Sequence, residues 1–153
     1  MTPAGYIHLP NQEYLNIKDF SIAKNTTDKH WFIHEMPHVW QYQLGENAVW
    51  HGINQLCKGG YGTTVLTVDT PKSGDYKAYV TDLSGADANK KFNEFNFEQQ
   101  GRIIEFWYDA GYLQHENPYR EHHQKSIKII GYVEYILRDF LHNPKDKNLL
   151  PKV

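Results

Sequence analysis

The chain reads as a single α+β domain. Three observations predict it: a helix-length run carrying paired histidines, two short runs dense in β-branched and aromatic residues with turn residues between them, and two later stretches of helical periodicity that open on capping residues. At 153 residues there is enough chain for one ordinary core. Neither repeats nor low-complexity linkers divide it, so residues 1–153 are expected to form one domain, with an irregular N-terminal segment (1–24) and a loose tail (145–153).

The first helix is expected over about 26 to 44, with Asn25, Thr26 or Thr27 as N-cap and Gly45 just past its end. Pro37 lies inside it, deletes one backbone donor and crowds the carbonyl of Ile33, which predicts a kink. A glycine-rich connection follows at Lys58, Gly59, Gly60 and Gly62. Tyr61 to Val68 and Tyr76 to Leu83 then read as strands, with Pro71 to Gly74 as the turn of a hairpin or small sheet. A second helix is expected over about 97 to 110, capped by Asn96. The last helix opens on Asn117 as cap and Pro118 at its first position. It carries an apolar stripe of Ile130, Val133, Leu137 and Phe140 and stops at Asn143 and Pro144.

Composition excludes some functions. With 16 basic and 18 acidic side chains the net charge is -2, which is no electrostatic footprint for nucleic acid. The 11 Tyr, 7 Phe and 4 Trp are expected mainly in the core or in cleft walls. Cys57 is the single cysteine, so no internal disulfide can form, and a buried apolar role suits it. The first residues lack the basic and apolar regions of a secretory signal, and no stretch is apolar enough to span a bilayer. Synthesis in the cytoplasm without a signal peptide is therefore expected.

The chemistry concentrates at His34-Glu35-Met36-Pro37-His38, an HExxH sequence. On a helix the two histidines project from one face and can hold a zinc ion, while the intervening glutamate supplies a base for a water on that ion. Gln41 continues the same stripe at i+7. A catalytic zinc needs a third protein ligand and an open position. A further histidine in the HExxHxxGxxH pattern would fall at Leu44, with the glycine at Gln41, so that class is excluded. A carboxylate on a later helix remains, as in the gluzincins. Glu98 opens the second helix, and Gly101, one turn on, lets that helix approach the first. Glu94 and Asp82 are rivals, and Glu105 and Asp109 share the Glu98 face. His122 and His123 point about 100° apart on a helix and read as a solvated face, and His30, His51 and His115 as polar residues rather than ligands. Tyr79, Tyr108, Tyr112 and His115 are all candidates for stabilising an oxyanion, with no spacing rule to select among them. Gln41 suits either orientation of a ligand or a plain interhelical hydrogen bond.

HEMPHVWQYQLG followed by FNFEQQG resembles the small zincin-type, gluzincin-like metallopeptidases associated with type VI secretion, including those attached to VgrG spike proteins or related to Rhs proteins, over roughly residues 28 to 110. Pro37 departs from that pattern. The resemblance implies a zincin-like fold, His34, His38 and Glu98 as zinc ligands and Glu35 as catalytic base. It further implies an antibacterial effector that hydrolyses a peptide bond, acts in the target-cell periplasm, and has spike and immunity proteins as partners. Two other classes stay open: a zinc-binding adaptor of the spike without catalysis, and a hydrolase of peptidoglycan stem peptides.

Overall fold

Asn25 sets the start of the first helix by accepting a hydrogen bond from the Thr27 amide at 3.0 Å, and Gly45, at φ 105°, ends it in the left-handed region that glycine adopts without strain. The computed structural model describes residues 3–8, 16–23, 25–46, 77–116 and 120–152. Among them are three long helices, α1 (Thr26–Gln43), α2 (Phe97–Tyr112) and α3 (Glu121–His142), with short 3-10 turns that include Lys77–Tyr79, Phe92–Glu94 and Lys147–Leu149. The α1 helix runs through Pro37 without a break. Asn96 caps α2 in a reciprocal box with Gln99: its side chain accepts from the Gln99 amide at 2.8 Å, while Gln99 Oε1 accepts from the Asn96 amide at 3.0 Å.

The described residues are all-α, which corrects the α+β expectation: no strand occurs among them. The run 76–83, read as a strand, contains a 3-10 turn at Lys77–Tyr79 and then irregular backbone. Its carbonyls at Ala78 and Val80 are taken by α2's cap residues, Asn96 Nδ2 at 3.2 Å and Gln99 Nε2 at 2.6 Å, so no ladder forms there. Ala78, Thr81 and Leu83 are fully buried. The β-branched and apolar character of the run thus reflects burial, which β-propensity scales do not separate from strand formation. The companion run 61–68, the glycines from Gly59 to Gly62, His51 and Cys57 lie outside the described residues.

Two further boundaries differ. The α3 helix begins at Glu121 with Arg120 in the cap position and no side-chain cap; Asn117 and Pro118 lie outside the described residues. Arg120 instead donates to Asp109 on α2 at 2.8 Å. The segment after Lys145, expected to be loose, is docked. Leu149 is buried, Asn93 Nδ2 donates to the Asn148 carbonyl at 2.7 Å, and the Lys152 amide donates to the Asn93 carbonyl at 2.9 Å.

The α2 helix is central and packs against both α1 and α3. Its apolar face (Ile103, Ile104, Phe106) meets Ile129, Val133, Ile136 and Leu137 of α3, together with Leu83, Phe92, Phe95 and Leu149, in one continuous core. The α1 helix contributes differently. Its buried residues are Lys29, Glu35, Pro37 and Gln41, with apolar support from the partly buried Ile33 and Trp40. Burying polar groups is costly unless they are paired, so α1 is built around partners for its polar face rather than around area.

Gln100, fully buried on α2, ties these parts together. Its amide donates to the carbonyls of Phe92 and Leu149, each at 2.9 Å. Gln100→Ala would leave both carbonyls without that donor and is expected to destabilise the fold by about 2–3 kcal/mol, measured by urea unfolding, with little change in the denaturant slope.

Candidate metal centre

His34, His38 and Glu98 converge where α1 crosses the first turn of α2. Glu98 Oε2 lies 3.1 Å from His34 Nε2 and 3.3 Å from His38 Nε2, and the three ligand atoms lie within 4.8 Å of one another. Two donors each roughly 2.1 Å from a tetrahedral zinc stand roughly 3.4 Å apart. The site thus has the spacing of ligands around one cation. Gly101 permits the approach: a Cβ there would sit 2.9 Å from His34 Cε1 and 3.0 Å from its Nδ1.

The proton on His38 follows from a chain of forced assignments. The carbonyls of Phe92 and Leu149 can only accept, so the Gln100 nitrogen must be the atom facing them. Gln100 Oε1 then accepts from Gln41 Nε2 at 2.9 Å, and Gln41 Oε1 must accept from His38 Nδ1 at 2.8 Å. That places the hydrogen of a neutral His38 on Nδ1 and its lone pair on Nε2, the atom facing Glu98. Two acceptors at 3.3 Å repel unless a proton or a cation lies between them. On the other histidine, Glu105 Oε2 stands 3.6 Å from His34 Nδ1. Both imidazoles therefore have a polar group on the side away from Glu98, as metal-binding histidines do.

Glu35 is buried on α1 beside His34 in sequence, 7% exposed. The rivals for the third carboxylate are engaged elsewhere: Glu94 accepts from the Lys91 amide at 2.7 Å, and Asp82 from the Ala86 amide at 2.9 Å. Of the aromatic candidates, Tyr79 stands beside the site, its ring 5.3 Å from that of His34 and edge-on to it. Tyr108 and Tyr112 stack on one another instead, at 5.2 Å.

A second polar cluster lies one turn along α1. Asp109, fully buried, accepts from His30 Nε2 at 2.7 Å, Arg120 at 2.8 Å and His123 Nδ1 at 2.8 Å. His122 Nε2 is 3.4 Å from Glu105 Oε1, and its ring stacks on Phe106. The solvated face expected for His122 and His123 is therefore not found, since His123 is 1% exposed and His122 is largely covered. The sequence did carry a signal for this cluster. His30, His34 and His38 recur every four residues, and Glu98, Gly101, Glu105 and Asp109 follow at intervals of three and four, so each set forms one stripe.

Without a cation these charges support one another. Burial opposes protonation of His34, but contacts with Glu105 and Glu98 outweigh it and raise its pKa to about 9. Burial likewise pushes the carboxyl groups of Glu98 and Glu105 up. The histidines, and Arg102 at Glu105, outweigh it and hold both well below the usual carboxylate range. Burial lowers His122 to about 4, leaving a neutral imidazole at pH 7.

Over 104 residues, 68% of the chain, the sequence is 33% identical to a segment of VgrG2b, a type VI secretion system spike protein of Pseudomonas aeruginosa. The aligned stretch is 8% of that longer protein, so the chain spans a small part of the relative it matches. No family model matches. No solved structure matches either.

Two outcomes are expected of this geometry. In chelator-treated protein, stabilisation from the His34 pair is complete below the ordinary histidine value of 6.5 and is lost as pH rises through about 9. That from Glu98 and Glu105 is present above 4.5 and is lost as pH falls below it. Keeping His122 neutral costs stability as pH falls below 6.5, so the melting temperature should peak near pH 6.5 and fall from there to pH 9; a flat profile from 6.5 to 9 would contradict the His34 assignment. Separately, Gly101→Ala, read by metal titration, should weaken zinc affinity by about 10- to 100-fold, as loss of ligand orientation does, while the protein stays folded by circular dichroism.

Proposed function

We propose that this chain is a zinc-dependent metallopeptidase and acts as an antibacterial effector associated with a type VI secretion apparatus. The observation that carries the reading is the convergence of His34, His38 and Glu98 at 3.1 and 3.3 Å around a lone pair whose direction is set by Gln41. His34, His38 and Glu98 would hold the metal. When bound, zinc would lower the pKa of a coordinated water toward about 7 and polarise a carbonyl oxygen.

Glu35 follows His34 on α1 and is the general base in this reading: its carboxylate takes a proton from the attacking water and returns it to the leaving amine. Gln41 orients the His38 imidazole through a hydrogen bond, and Glu105 faces the far nitrogen of His34 at 3.6 Å. Tyr79, beside His34, is the nearest phenol among the candidates for steadying a developing oxyanion. The secretion context comes from the 33% identity to part of a spike protein. Among the described residues no helix is long and apolar enough to cross a membrane. Delivery by the secretion machine and action in the target periplasm belong to the same proposal, as do a peptide substrate, a spike partner and a protective immunity protein.

Glu35→Gln separates binding from catalysis. It should keep the metal content and melting temperature of the parent while lowering peptide hydrolysis by about 100- to 10,000-fold; full activity in the variant would rule out the assigned base. In cells, the chain carrying an added periplasmic signal should arrest growth, whereas the unmodified chain and the signal-bearing Glu35→Gln and His34→Ala forms should be tolerated. Equal growth of the periplasmic parent and Glu35→Gln, at matched protein levels, would favour a non-catalytic adaptor of the spike.

A further inference from the structure

We propose that His30, Glu105 and His122 form a second divalent-cation site, separate from the His34, His38 and Glu98 group. The three residues come one each from α1, α2 and α3, and their ligand atoms lie within 4.8 Å of one another. The decisive feature is His122. Its Nε2 is buried and has no hydrogen-bond partner among the described residues, although Glu105 Oε1 stands only 3.4 Å away. That is too poorly disposed for a hydrogen bond, yet it matches the roughly 3.4 Å between two ligands of one tetrahedral cation.

The surroundings suit such a site. Asp109 accepts from His30 Nε2 at 2.7 Å, the carboxylate support that metal-binding histidines commonly have. The His122 ring is held flat against Phe106, with 18° between the planes. Arg102 approaches both Glu105 oxygens, at 3.4 and 3.5 Å, while its guanidinium lies over Phe106. These distances offset part of the carboxylate charge without the short geometry of a tight charge-assisted pair. Two imidazoles and one carboxylate favour a borderline ion such as zinc, cobalt(II) or nickel(II) over calcium or magnesium. The His30, Glu105 and His122 side chains are 14%, 7% and 15% exposed, which suits a cation that clamps the three helices together. Glu105 also links the two groups, with Oε1 toward His122 and Oε2 toward His34 Nδ1 at 3.6 Å.

The test needs no substrate. The full chain is stripped with chelator, reloaded with cobalt(II), passed through a desalting column and assayed for cobalt per protein. Wild type should retain about two equivalents, His38→Ala about one and His122→Gln about one. Circular dichroism and melting curves would verify folding, and His30→Gln provides an independent second variant. If wild type holds about one equivalent and His38→Ala none, the second site is overturned and the first stands. The converse would be about one equivalent in wild type and in His38→Ala but none in His122→Gln, which would support the second site and overturn the first.

Discussion

The paired amides of Gln41 and Gln100 couple the candidate metal centre to the packing around it. Gln100 is fully buried and satisfies two backbone carbonyls, one in the turn before α2 and one in the C-terminal segment. Its remaining oxygen holds Gln41, and Gln41 holds His38. Each assignment forces the next, because a carbonyl can only accept and an amide nitrogen can only donate. The turn at Phe92 and the segment at Leu149 therefore help set the proton position on a histidine at the candidate metal centre. A partly satisfied network at this depth would cost more than an apolar replacement, so its completeness is what makes a polar α1 tolerable.

A division of labour between the helices follows. The α2 and α3 helices carry the apolar area, through Ile103, Phe106, Val133 and Leu137. The α1 helix carries chemistry on its inner face. Lys29 pairs with Glu116, His30 with Asp109, His34 with Glu98 and Glu105, and His38 with Gln41. Gly101 is the steric condition for this arrangement, since any larger residue would meet the His34 ring. Position and proton are thus set by different parts of the molecule: by packing of α2 for the first, by the amide relay for the second.

The sequence similarity is to one segment of a type VI secretion system spike protein. The matched stretch is a small fraction of that protein. In this chain the HExxH histidines and Glu98 lie on two helices whose mutual geometry depends on residues outside the motif: Gln41, Gln100, Gly101 and Glu105. Substitutions at these four positions would alter the centre without touching a proposed ligand.

The helices that bear the site are legible in the local sequence. Asn25 and Asn96 are strong caps, Gly45 is a strong stop, and the four-residue spacing of His34 and His38 puts both on one face wherever the helix goes. Local rules also made Glu98 a candidate, with Glu94 and Asp82 as rivals, and put Gly101 one turn on along the same stripe. What lies across from those stripes follows from how the helices pack. The 76–83 run carried strand-like residues, but its carbonyls were claimed by Asn96 and Gln99, and hydrogen bonds between distant segments leave no periodicity to read. The same holds for His122 and His123. On a helix considered alone they diverge toward solvent, whereas packing α3 against α2 brings one to Glu105 and the other to Asp109. Local periodicity specifies which residues share a face; burial and pairing of that face depend on the partner surface, which the chain acquires only on folding.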